Sequence, residues 1–179
     1  IFFTNPITIL VIYILGLYGL YLTNLFGSLM SSHIGHIAMT THFLVSGLLL
    51  AYVAIGIDPK PRPLPHWARM ILVLAAIILH TFFAVVMMAS TTLIGASWYS
   101  LVRPPWLTDP VRDSMLGGQI AWGIGEVPTL IMMIIIGVQW ARSDERESKR
   151  RDRFTGTHGD TEMDDYNAYL SKLNERADK

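Results

Sequence analysis

The sequence predicts an all-α fold: a polytopic membrane helix bundle with four transmembrane helices and a cytoplasmic helical tail. Three observations lead there. Four apolar runs each approach the roughly 20 residues needed to cross about 30 Å of hydrocarbon. Of the 179 residues, 51% are hydrophobic and only 16% are charged, an integral-membrane composition. The charges crowd beyond Gln139, which divides the chain into a membrane segment over residues 1–143 and a charged tail over residues 144–179.

The first apolar run covers residues 6–26, and Gly16, Gly19, Tyr13, Tyr18 and Tyr21 mark close helix packing and interfacial anchoring. The second covers residues 36–57 and stops at Asp58-Pro-Lys-Pro-Arg-Pro-Leu-Pro65, where alternating prolines forbid helix. The third, residues 67–94, begins beside Arg69, whose long stem can snorkel to the interface. Trp98, Tyr99, Pro104, Pro105 and Trp106 then make an aromatic, proline-broken surface loop whose polar portion is residues 109–114. The fourth run, residues 119–140, contains Pro128, which predicts a kink.

In the tail, Glu145 with Lys149 and Glu147 with Arg151 stand at i, i+4 in the favourable order, so the fourth helix continues beyond the bilayer. Gly156 and Gly159 are expected to break it. Met163, Tyr166, Leu170 and Leu173 then share one stripe of a short amphipathic helix, capped by Asp160 or Thr161. Lys60, Arg62 and Arg69 lie on one side of the bundle with the basic tail, while only Arg103 and Arg112 lie on the other. The positive-inside rule therefore puts the tail in the cytoplasm and the His33 end outside the plasma membrane. The chain opens on Ile1, directly on an apolar run with no basic n-region, so it does not read as a signal peptide. It reads as the C-terminal portion of something longer.

The chemistry concentrates in His33-Ile-Gly-His-Ile-Ala-Met-Thr-Thr-His42, because an ionisable group in hydrocarbon is costly and is read as functional first. At about 100° per residue, His36, Met39 and His42 share one face of the second helix. His80, Ala84 and Met87 form a stripe on the third, and Trp122, Glu126, Thr129 and Met133 another on the fourth. Counting about 1.5 Å per residue from the predicted ends puts Met39, His42, Met87, Met88 and Glu126 in an outer layer, with His80 and Met133 deeper. The candidate metal ligands are thus His36, Met39, His42, His80, Met87, Met88 and Glu126. With no cysteine among nine Met and six His, this set suits copper(I), whereas zinc wants more His or a carboxylate cluster. Packing is the competing reading for each His and Met, and for Met132 and Met133 alone it is the favoured one. His33 is either a ligand at the mouth or simply solvated.

Other classes fall away. The glycine-rich stretch from Gly117 to Gly125 opens a membrane span with no preceding strand, so it is no nucleotide loop. Gly117, Ala121 and Gly125 read instead as a small-residue stripe for close helix contact. The tail's basic residues are interleaved with acids, which argues against nucleic acid.

Five segments carry a resemblance: Thr40-Thr-His-Phe-Leu-Val-Ser-Gly47, Ile55-Gly-Ile-Asp-Pro59, Leu79-His-Thr-Phe-Phe83, Gly118-Gln-Ile-Ala-Trp-Gly-Ile-Gly-Glu-Val-Pro-Thr-Leu130 and Val138-Gln-Trp-Ala-Arg-Ser-Asp-Glu-Arg146. In these the chain resembles the cytochrome c oxidase assembly factors of the CtaG type, in their actinobacterial form, often fused behind a copper-resistance D-like domain. The resemblance implies copper supply to the copper B centre of a haem–copper oxidase, with an oxidase subunit and a copper donor protein as partners and no enzymatic step. His36, Met39, His42, His80 and Glu126 lie in its characteristic segments. The alternatives are a copper transport or resistance permease, a b-type haem carrier using His42 and His80, and a metal-free accessory subunit of a respiratory complex.

Overall fold

The computed structural model describes residues 5–56, 64–158 and 161–177, and every regular element among them is helical. The chain forms two compact units, residues 1–137 and 138–179. In the first unit, α1 (Pro6–Ile14) runs into a π-helical turn (Leu15–Gly19), followed by α2 (Leu25–Met30), α3 (His33–Ile55), α4 (His66–Ala89), α5 (Ala96–Val102) and the start of α6 (Pro110–His158). By length and composition α3, α4 and α6 can each cross a membrane, while the apolar stretch Pro6–Gly19 is shorter. At about 1.5 Å per residue it rises only about 21 Å.

Local chemistry sets these ends. The Asn5 side chain accepts from the N–H groups of Ile7 and Thr8 at 2.9 and 3.4 Å, with Pro6 opening the helix. The first run is not one helix to Phe26, as its hydropathy predicts. The Thr23 hydroxyl donates to the Gly19 carbonyl and accepts from Leu25 N–H at 3.2 Å, a side-chain substitute for helix bonding that turns the chain at residues 22–24. Ser32 caps α3 by accepting from Gly35 N–H at 3.3 Å, and Gly56, at φ 63°, closes it in the left-handed region. The proline-rich stop lies, up to residue 63, outside the described residues.

Two further ends differ from expectation. Helix α4 stops at Ala89 rather than residue 94, and α6 starts at Pro110 rather than residue 119. Asp109 accepts from the N–H groups of Val111 and Arg112 at 3.1 and 3.0 Å, so the polar stretch read as loop is an N-cap and first turn. The helix then passes through Pro128 to its end.

Ile9 of α1, Leu50 and Val53 of α3, and Leu72 and Ala76 of α4 form one core cluster. Ala54, Val73, Met132 and Ile136 join α3, α4 and α6 in a second. Outside them, Leu48, Phe82 and Ile134 are more than half exposed. Such an apolar exterior suits a bilayer, where lipid tails match leucine and helix association rests on close packing.

Arg69 does not snorkel. It is buried, and its guanidinium donates to the carbonyls of Ile55 at 2.7 Å and Ala54 at 3.5 Å, capping α3 at the negative end of its dipole. Lys60 and Arg62 lie outside the described residues.

In the second unit, Lys149 pairs with Glu145 and Arg151 with Glu147, each at 2.6 Å. Gly156 does not break the helix, because one glycine costs only about 1 kcal/mol relative to alanine and α6 continues to His158. Gly159 and Asp160 lie outside the described residues. Helix α7 (Thr161–Ala177) carries Met163, Tyr166, Leu170 and Leu173 exposed.

Candidate functional site

Within the first unit two cavities take up Met39 and His42 on the one hand and His80 and Met87 on the other, while His36, Met88 and Glu126 line neither. The π turn carries Gly16 against α3, and a Cβ there would lie 2.5 Å from Nε2 of His42. Only glycine lets the imidazole sit where it does. That ring also meets Phe43 edge-on, at 5.7 Å and 70°. Met39, one turn earlier on α3, lines with His42 a cavity of about 340 Å³ whose other walls are aliphatic and include Leu20, Leu25 and Leu29. It offers one thioether and one imidazole. His36 is exposed and lines neither cavity.

Helices α4 and α6 set the second group. His80 packs against Gly125, while Met87 and Met88 pack against Gly118, at 3.0 and 3.3 Å from a Cβ placed there. The two contacts are separated by the same number of residues on each helix, so α4 and α6 run antiparallel in register. His80 is consequently level with Gly125 and Glu126, not with Met133. The predicted layers had these levels crossed because both helix ends were displaced. Met132 is buried in the second core cluster with Met133 packed on it, the packing role favoured for them.

Glu126 is half-buried, and its Oε1 accepts from the Thr81 hydroxyl at 3.1 Å and from the Trp122 indole N–H. A carboxylate within a span is thereby solvated by two donors, one from its own helix and one from α4. Thr129 returns its hydroxyl to the carbonyls of Gly125 and Glu126 at 3.2 and 2.8 Å. Spacing on α6 alone could suggest Trp122. Thr81 could be found only once the register with α4 was known; Gly16 reads as a close-packing position from sequence, but its partner His42 follows only from the structure.

His80 and Met87 line the larger cavity, about 430 Å³, together with Phe43, Phe83, Tyr99 and Asp113. Tyr99 lies on α5, where burial and the Asp113 carboxylate push its phenol above the usual 10.0. Two of the cavity's lining residues belong to one aromatic stack: Tyr21 stacks on Phe26, which stacks on Tyr99, at 5.1 and 5.8 Å. Tyr18 ties the π turn to α4 by donating to the Leu79 carbonyl at 2.7 Å. Among the described residues no three His, Asp or Glu side chains gather as a metal cluster.

Comparison with known proteins gives three uncharacterized relatives, from Mycobacterium bovis, Mycobacterium tuberculosis and Mycobacterium leprae. Each is 39% identical over 173 residues, 96% of this chain, and the match covers 26% of the relative. The chain thus spans about a quarter of the length of these curated relatives. No solved structure matches. The model of the cytochrome c oxidase caa3 assembly factors matches residues 1–143, the whole predicted membrane segment, and the chain therefore belongs to the caa3-type cytochrome c oxidase assembly factor (CtaG) family.

Proposed function

We propose that this chain is the copper(I)-handling part of an oxidase assembly factor, multi-pass in the plasma membrane, with the His33 end outside and the tail in the cytoplasm. Copper(I) is its cargo, received from a donor protein and passed to the copper B centre of a haem–copper oxidase. The observation that supports the reading is the pairing of Met39 and His42 on one aliphatic cavity. A thioether beside an imidazole selects a soft ion, and a site with two protein ligands leaves room for a donor or acceptor ligand during exchange. Zinc, which takes four tetrahedral ligands in structural sites, fits this pair poorly.

The test is the double variant Met39→Leu/His42→Leu in the full-length protein, at a membrane level equal to wild type. Expected is a loss of copper(I) affinity of at least about ten-fold, since even outer-shell changes cost that much, with low oxidase copper content when copper is limiting. Normal oxidase copper in the double variant would remove the assignment.

A further inference from the structure

We propose that the part of α6 beyond its apolar run is a self-association surface, on which the basic ridge of one copy of this chain meets the acidic ridge of a second copy in the same membrane, independently of copper at Met39 and His42. The apolar run ends at Trp140, and α6 continues as helix to His158 with every residue from 141 to 156 exposed. In the linear sequence acids and bases interleave there, but the helix sorts them. At about 100° per residue, Arg142, Arg146, Lys149, Arg150 and Arg153 fall within about 100° of the circumference, and Asp144, Glu145 and Asp152 within about 100° on another face.

Pairing within the helix leaves part of each ridge over. Lys149 holds Glu145 and Arg151 holds Glu147, whereas Arg142, Arg146 and Arg150 on the basic ridge, and Asp144 and Asp152 on the acidic one, make no ion pair among the described residues. Asp144 stands two residues from Arg142 and from Arg146, and Asp152 two from Arg150, and residues at i, i+2 do not face each other. A second copy removes that obstacle. Helix α6 is long and apolar enough to cross a membrane, and two identical helices leaving one bilayer hold equal residue numbers at equal height, as rotation about the membrane normal requires. Asp144 of one copy then lies about 3 Å in height from Arg142 and Arg146 of the other, and Asp152 about 3 Å from Arg150, a difference that a long arginine side chain spans.

Other occupants fit less well. A broad polyanion, whether an anionic bilayer or a nucleic acid, also meets the acids that border the basic ridge, Glu145 and Asp152 on one side and Glu147 on the other. Lipid headgroups lie too low as well: Arg150 is about 15 Å along the axis from Trp140, beyond the Debye length of about 8 Å at physiological salt. A second copy brings the opposite ridge at the matching height. One exposed ion pair contributes at most about a five-fold factor, so the contact is weak in itself, and sharing one membrane makes it effective by raising the local concentration.

The experiment is energy transfer between donor-labelled and acceptor-labelled copies of the full-length protein in phosphatidylcholine vesicles, over a series of lipid-to-protein ratios. Expected is transfer above that of random mixing, falling as salt rises. Two variants reverse one ridge each, Arg146→Glu/Arg150→Glu and Asp144→Lys/Asp152→Lys, with Arg142 retained beside the span. Each alone should lose association by about ten-fold, since attractions become repulsions. A mixture of the two, donor on one and acceptor on the other, should recover to within a few-fold of wild type, because opposite ridges face each other again. The proposal is overturned if wild type shows random mixing only, transfer that salt does not weaken, or transfer that appears only when phosphatidylglycerol is added, which assigns the basic ridge to lipid. It is also overturned if either reversed variant associates as wild type does, or if the mixture associates no better than each variant alone; should a variant fail to insert, the salt series on wild type decides.

Discussion

Gly16 and Gly19 lie in the same π turn and differ in what a methyl group would meet. At Gly16 a Cβ comes within 2.5 Å of His42 Nε2 and 3.0 Å of its Cδ2, whereas at Gly19 it meets nothing within 4 Å. The imidazole is exposed and can swing aside, but only by giving up its edge-on packing on Phe43. Gly16→Ala should therefore carry an overpacking cost at the low end of the usual range, about 1 kcal/mol. Gly19→Ala should be neutral or stabilising by up to about 1 kcal/mol, since alanine narrows the unfolded ensemble and favours helix. For a membrane unit of this size the contrast corresponds to a difference of roughly 4–10 °C in apparent unfolding temperature, measured as detergent-solubilised protein surviving a heat series. A double-mutant cycle isolates the cause. In the background His42→Ala the obstructing ring is gone, and Gly16→Ala should cost no more than Gly19→Ala. If Gly16→Ala destabilises equally with and without the ring, the close approach of Gly16 and His42 is not what glycine serves.

Three other perturbations have definite expectations. Arg69→Met should destabilise by about 1–3 kcal/mol by leaving the carbonyls of Ala54 and Ile55 without their cap, with Arg69→Lys intermediate; the same heat series reads it. Trp122→Phe and Thr81→Val each remove a donor from Glu126 and should cost about 1 kcal/mol each. In a Glu126→Ala background, which removes the acceptor, both costs should largely vanish, and undiminished costs would show that Glu126 is not their partner. For orientation, a cysteine at Ser97 should react with an impermeant reagent from outside, and one at Ser148 only after lysis; reversed labelling would put the Met39 and His42 face toward the cytoplasm.

Hydropathy and spacing located the apolar segments because those signals are summed over twenty residues and survive local detail. Boundaries were less legible, since they depend on single side chains. Thr23 ends the first segment early, and Asp109 begins α6 inside a stretch that reads as loop. The pairing of Met39 with His42 was legible because both lie on one helix face. The level of His80 was not, because it depends on the register of two helices, and an error of several residues at both ends moved Glu126 and His80 into different layers. Arg69 was misread for another reason: composition sees a charge near an interface, but not the carbonyls of the preceding helix waiting for it.

The π turn also acts as a phase setter for everything before it. Five residues there occupy what the surrounding α-helix would wind more tightly. Deleting one of them would let the rest relax to 3.6 residues per turn with Pro6–Ile14 nearly in phase, whereas inserting one further helical residue would swing Pro6–Ile14 by about 100° about its axis. Ile9, now 1% exposed against Leu50, Val53, Leu72 and Ala76, would rotate out of that cluster, even though the composition of the run would hardly change. An aligned relative with one residue fewer here can therefore present the same faces by winding as plain α-helix, whereas one with a residue more must compensate on the facing sides of α3 and α4.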